Sequence, residues 1–208
     1  DSLVGTDYTT DNLSKETGLA SDWTISSDGR TYLFKVRPWK FHNGDDVTAD
    51  DVKFSLDRLK GSTQINQVIR DALDVVTVKS PSEVEVRLKA PLYPFLRLMQ
   101  DHAGAVMPKK YFEKVGSDGF EKQPIGSGPY RLLERQVGAH LKFEQAYPQH
   151  FGIGAPRFKR VTVRLVPEES TRLAMLNSGE ADFIDTGILN IKGLEAKGFR
   201  GFPRKSTE

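Results

Sequence analysis

The sequence predicts a mixed α+β (α/β) fold, on three observations. Two runs of alternating apolar and polar residues flank Asp28-Gly29. A threonine followed by aspartates opens an amphipathic stretch carrying Val52, Leu56 and Leu59. A second pair of β-branched runs then follows, Val75–Lys79 and Val84–Leu88. Period-two segments joined by Asp-Gly read as a hairpin, and apolar residues three and four apart read as one face of a helix.

In the first run Trp23 and Ile25 share a face, and in the second Tyr32, Phe34 and Val36 do. Asn43-Gly44 marks the next turn, because glycine accepts positive φ without a steric cost. Thr48 and Asp51 stand at capping-box spacing, with Asp in place of the usual Glu or Gln. The carboxylates of Asp45, Asp46, Asp50 and Asp51 thus gather near the positive end of the helix dipole. They lack the alternating spacing and closing Glu of a calcium loop, so they read as helix-start chemistry.

Gly61 to Leu73 reads as a further helix through Ile65, Val68, Ile69 and Leu73. The second hairpin turns at Ser80-Pro81-Ser82-Glu83, and Pro94 suits the first turn of a short helix with Phe95, Leu96 and Leu98. Ala103 to Met107 is expected as a small-residue strand, and Pro108 opens a helix bearing Tyr111, Phe112 and Val115. Gly116 to Pro124 is polar and turn-rich, a boundary between substructures. Strands are expected at Tyr130–Arg135, His140–Ala146 and Arg160–Val166. Then comes a helix through Leu173 and Leu176 closed by Gly179, a returning strand over Ala181–Ile184, and a strand-like segment before the chain stops.

Composition sets limits on function. The 208 residues carry 30 basic and 28 acidic side chains with the signs interspersed, for a net charge of +2, which is no footprint of a nucleic-acid binder. Without cysteine there is no disulfide, thiolate metal site or Cys nucleophile. No apolar run approaches the roughly 20 residues of a membrane span. No Gly-x-Ser-x-Gly elbow, His-Glu-x-x-His or supported Ser-x-x-Lys occurs, so no catalytic residue is assigned. Gly126-Ser127-Gly128 lacks the Lys of a P-loop and the third glycine of a dinucleotide fingerprint, and reads as a tight turn. His42, His102, His140 and His150 show no helical metal-ligand spacing, and neither a metal nor a cofactor is expected. Trp23 and Trp39 read as hairpin core or edge, with stacking on a ligand as the alternative.

Four ordered motifs carry a resemblance. The stretch from Leu19 to Leu59, the turn Ile125-Gly126-Ser127-Gly128-Pro129-Tyr130, the aromatic-then-proline loop with Tyr147, Phe151 and Ala155-Pro156, and Leu176-Asn177-Ser178-Gly179-Glu180-Ala181-Asp182 succeed one another at similar spacing. Together they resemble the extracellular solute-binding proteins of family 5, which serve peptide and nickel ABC importers.

The resemblance implies a partial lobe of the type II periplasmic-binding-protein kind. Residues 1–117 would form the α+β subdomain of the first lobe and 118–208 part of its main sheet. It also implies a fragment, since members of the family are more than twice as long. The complete protein would lie in the periplasm or at the cell surface, with its signal peptide outside this chain. It would capture a peptide or related small solute between two lobes and deliver it to membrane permease subunits, with no nucleic acid as partner and no reaction catalysed. By position in the family, Asp101, His102, Gly126, Ser127 and Gly128 are the candidate ligand contacts. Two other classes stand beside this reading: the ligand-sensing domain of a transcriptional regulator with the same fold, and an unrelated α+β hydrolase.

Overall fold

The computed structural model describes residues 1–62 and 67–202. By internal contacts the chain divides into two compact units. One comprises Asp1–Arg135 with Leu141–Thr162, and the other Gln136–His140 with Val163–Glu208.

The first unit starts with an antiparallel pair of short strands, β1 (Gly5–Thr6) and β2 (Leu13–Ser14). The expected first hairpin follows as β3 (Ala20–Ile25) and β4 (Thr31–Val36), with Ile25 opposite Tyr32 and Gly29 at φ 68° in the turn. Helix α1 (Ala49–Leu59) comes next, then α2 (Gln67–Ala72) and the second hairpin, β5 (Leu73–Ser80) with β6 (Glu83–Leu88). The four strands form one antiparallel sheet of order β3-β4-β6-β5. Tyr32, Phe34 and Val36 of β4 and Val84, Val86 and Leu88 of β6 are buried, and Val52, Leu56 and Leu59 of α1 join them in the core. Each such side chain contributes about 1.5–3 kcal/mol on leaving water. Ile25 departs from the pattern and is exposed, because it lies at the open end of its strand beside the turn.

Three expectations need correction in this unit. Leu73 begins β5 instead of ending a helix, and Ile65 of that expected helix lies outside the described residues. The segment after the short helix α3 (Phe95–Leu98) is not a strand: His102–Gly104 forms one 3-10 turn. Gly104 packs so closely on the chain before it that a Cβ there would stand 1.8 Å from the Met99 carbonyl oxygen. A single bridge, from Ala105 to Ser2, is the extent of sheet pairing described there. Helix α4 (Lys109–Lys122) runs through the expected turn region, bent at Gly116, where φ is 71°.

The opening segment is buried between two others. The Leu3 N–H donates to the Gly104 carbonyl at 2.7 Å and the Ala20 N–H to the Leu3 carbonyl at 2.7 Å, and both Leu3 and Val4 are fully enclosed.

Three further strands, β7 (Tyr130–Gln136), β8 (His140–Gln145) and β9 (Arg160–Arg164), form a sheet in that order. The second unit contains α5 (Glu169–Ser178), closed as expected by Gly179 at φ 76°. Ala181–Ile184 forms no strand, helix α6 spans Ile188–Glu195, and of the strand-like segment expected just before Arg204 the described residues up to Phe202 form no strand. The Glu169 carboxylate explains where that helix starts. It accepts the Thr186 hydroxyl at 2.8 Å and the Gly187 N–H at 2.6 Å, fixing the residue that precedes the first turn.

Candidate functional site

The candidate residues fall in two places, both in the first unit, joined by the opening residues of the chain. Asp101 and His102 lie at the 3-10 turn, exposing 79% and 94% of their side chains, with His102 Nε2 3.5 Å from Asp101 Oδ1. Their backbone is fixed although their side chains are free: the Gly104 N–H donates to the Asp101 carbonyl at 2.8 Å and the Ser2 hydroxyl to the same oxygen at 3.3 Å.

Gly126, Ser127 and Gly128 lie behind a cluster of rings. Ser127 is wholly buried, its hydroxyl accepting from the Asp1 amino group at 3.2 Å and its carbonyl from Trp39 Nε1 at 2.9 Å. The Gly126 carbonyl accepts the His42 backbone N–H at 2.8 Å, and the Gly128 carbonyl lies 2.9 Å from His42 Nε2. The turn is thus held by its own carbonyls. Asp1 reaches Ser127 and the adjacent Ser2 reaches Asp101, so two successive residues serve the two halves of the candidate site.

The ring cluster draws on the segment after β4 and the loop after β8. Trp39 meets Tyr147 at 4.9 Å, Phe151 at 5.1 Å and His150 at 5.4 Å between centroids. Burial pushes the Tyr147 phenol up to about 12, and its hydroxyl donates to the Lys40 carbonyl at 2.7 Å. Burial pushes His150 down to about 4, and His42 is lowered by the same cause. Sequence reasoning missed this cluster. Its members are separated by about a hundred residues, and the only signal was the Tyr147–Phe151 loop. Trp39 is partly buried against the core, and Trp23, also partly buried, lies beneath the Lys15 ammonium, 5.1 Å from its ring.

Two surface cavities flank these parts. One of about 690 Å³ is lined chiefly by Val36, Pro38, Trp39, Val47, Pro81 and Tyr147. The other, about 630 Å³, is lined by acidic residues of the 45–51 segment with Lys109 and Lys110. Its acids have local uses: Asp45 accepts from the Asn43 amide at 2.7 Å, Asp46 pairs with Lys40 at 2.6 Å, and Asp51 caps α1. Among the described residues no group of three or more His, Cys, Asp or Glu comes together to hold a metal ion.

Compared with known proteins, residues 16–205 match the sequence model described as bacterial extracellular solute-binding proteins, family 5 Middle. The chain belongs to that family. Among its relatives, the glutathione-binding protein GsiB of Escherichia coli (strain K12) is 34% identical over 171 residues, covering 79% of this chain and 32% of that protein. The chain therefore spans about a third of the length of the curated relatives it matches.

Among solved structures, NikZ from Campylobacter jejuni in complex with Ni(L-His) superposes with a TM-score of 0.77 at 29% identity, over 92% of this chain and 39% of that one. The oligopeptide-binding protein AppA from Bacillus subtilis, in complex with a nonapeptide, gives 0.78 at 26% identity, over 94% and 39%. The expected fold class, part of a type II periplasmic-binding-protein lobe, is thereby established. The relatives are binding proteins by name, and no helix among the described residues is long and apolar enough to cross a membrane.

Proposed function

We propose that this family 5 chain is part of the substrate-binding component of an ABC importer. The complete protein captures a peptide or related small solute in a cleft between two lobes and passes it to membrane permease subunits. The observation that carries this reading is the family match over residues 16–205, supported by relatives that bind glutathione and an oligopeptide. Its work is binding and release, without bond-breaking, in the periplasm or at the cell surface. Residues 1–117 serve as the α+β subdomain of the first lobe and 118–208 as part of its main sheet. Apolar side chains left in water in the second unit, among them Val137, Leu165, Phe183 and Leu189, suit a partial lobe that the rest of a longer chain would cover.

Asp101 and His102 are the side chains we assign to meet the solute, because they are exposed on a fixed backbone. Gly126, Ser127 and Gly128 contribute as a rigid wall of the site. Backbone-directed capture of an extended peptide would leave side-chain pockets permissive. Native mass spectrometry of the full-length protein, purified from its own host, tests the reading. A small peptide or related solute travelling with the protein supports it. Turnover of that solute into products would end it.

A further inference from the structure

We propose that His42 and His150 form an acid-released clasp, His42 holding segment 125–129 to the rest of the first unit and His150 fixing the fold of loop 146–154 from within. Both imidazoles are engaged in a way that only the neutral ring permits. At His150, Nδ1 accepts the Gly152 N–H at 3.1 Å, so the ring proton sits on Nε2, 3.1 Å from Asp1 Oδ2. At His42, Nδ1 accepts the Gly126 N–H at 3.4 Å and Nε2 donates to the Gly128 carbonyl at 2.9 Å. The two rings share one arrangement: an acceptor nitrogen toward a glycine amide and a donor nitrogen toward an oxygen.

A second proton must enter at Nδ1. There it converts an acceptor into a donor pointed at another donor, and leaves the glycine N–H without a partner. In the closed state that outcome is disfavoured twice, because the imidazolium is also buried. Opening the loop returns both groups to water, so acid favours the open state.

The surrounding groups decide the sign. Facing His150 are the Asp1 carboxylate and Arg37, whose guanidinium lies 4.5 Å from the Phe151 ring; facing His42 are Arg131 and His150 itself. Tyr147 packs on both rings, 5.8 Å from His42 and 6.4 Å from His150, and is neutral throughout the range. Of the charged groups the Asp1 carboxylate alone attracts an imidazolium, and the Ser127 and Gly128 backbone groups also favour the protonated rings of His150 and His42. The cations and burial oppose protonation, consistent with the depressed titration of both rings. Among the other ties to these segments, Trp39 Nε1 to the Ser127 carbonyl, the His42 backbone N–H to the Gly126 carbonyl and the Tyr147 hydroxyl to the Lys40 carbonyl are neutral and do not respond to acid.

Hydrogen exchange on the purified protein at about pH 7 and about pH 4.5, corrected for intrinsic rates, tests the clasp. The amides of Gly126 and Gly152 and their neighbours should lose about tenfold or more protection at the lower pH, while β3 to β6 stay protected. Protection lost in step across the sheet, or lost nowhere, would overturn the proposal. The double variant His42→Gln, His150→Asn keeps one hydrogen bond per site and cannot titrate. Its two segments should be equally protected at both pH values, and a surviving acid response counts against the clasp. Should that variant not fold, nitrogen NMR of the unaltered imidazoles at neutral pH decides. Nε2–H tautomers on both rings support it, and an Nδ1–H or doubly protonated ring on either sinks it.

Discussion

The Lys109 N–H, at the start of α4, donates to Asp51 Oδ1 at 2.8 Å, so a single carboxylate of α1 sets where two helices begin. Its other oxygen accepts the Thr48 N–H at 2.9 Å and the Thr48 hydroxyl at 2.7 Å. Ser55, one turn on, bonds the Asp51 carbonyl at 2.7 Å and receives the Met107 N–H at 2.8 Å. Only 6% of Asp51 is exposed, so this carboxylate is committed to its protein donors and not to water.

Asp51→Ala should therefore cost about 1–3 kcal/mol, combining a lost cap with a partly buried N–H left without its acceptor. Asp51→Asn keeps an acceptor in place and should cost about 1 kcal/mol. Urea denaturation of the three proteins checks the ranking. Equal midpoints would show that the helix starts do not depend on this carboxylate.

Much of this was legible beforehand because the signals are local. Thr48 and Asp51 are three residues apart, Asp28-Gly29 sits between its own two strands, and Gly179 ends its own helix. What could not be read depends on distant partners. Ala103–Met107 has the composition of a strand, yet Gly104 is folded against Met99 and the carbonyl of Gly104 is taken by Leu3. The start of α6 is set by Glu169, eighteen residues before Gly187. At the candidate site, Asp101 and His102 were suggested by resemblance, whereas His150 gains its environment only when Asp1, Trp39 and the Gly152 amide are brought to it.

Close backbone approach gives a second test. A Cβ on Gly18 would stand 2.3 Å from the Gly5 nitrogen and 2.8 Å from the Leu3 carbonyl oxygen, with no flexible side chain to yield. Gly18→Ala should cost at least about 2 kcal/mol and loosen the opening segment. Gly193, inside α6, has nothing within 4 Å of the same atom, so Gly193→Ala should stabilise by about 0.5–1 kcal/mol. Thermal melts of both variants should move in opposite directions, and a shared direction would refute the packing argument.

Stability should fall as the solution is acidified below the ordinary histidine range. Above about pH 6.5 His150 is neutral folded and unfolded and adds no slope. Between there and its folded value of about 4, the unfolded chain binds a proton that the folded one refuses. The loss saturates near the lower limit, at up to about 3 kcal/mol. Asp7 and Asp28, held near 2 chiefly by hydrogen bonds from Thr9 and from Ser26, weaken the fold only in more acid solution, so the windows separate. Denaturation across a pH series should show this slope, and His150→Asn should reduce it by about one proton. An unchanged slope in that variant would assign the titration elsewhere.

Binding and folding should separate at Asp101 and His102. Their side chains make no contact that the core needs, so Asp101→Ala and His102→Ala should each leave the melting temperature within about 2 °C of the parent. Once the solute is identified, calorimetric titration of the full-length protein should show affinity weakened about fivefold or more for at least one of them, as expected for loss of a direct polar contact of about 1 kcal/mol. Ser127→Ala provides the contrast, since its hydroxyl is enclosed and bonded to Asp1, and its loss should appear in stability. Unchanged affinity in both exposed variants would move the solute contacts away from the 3-10 turn.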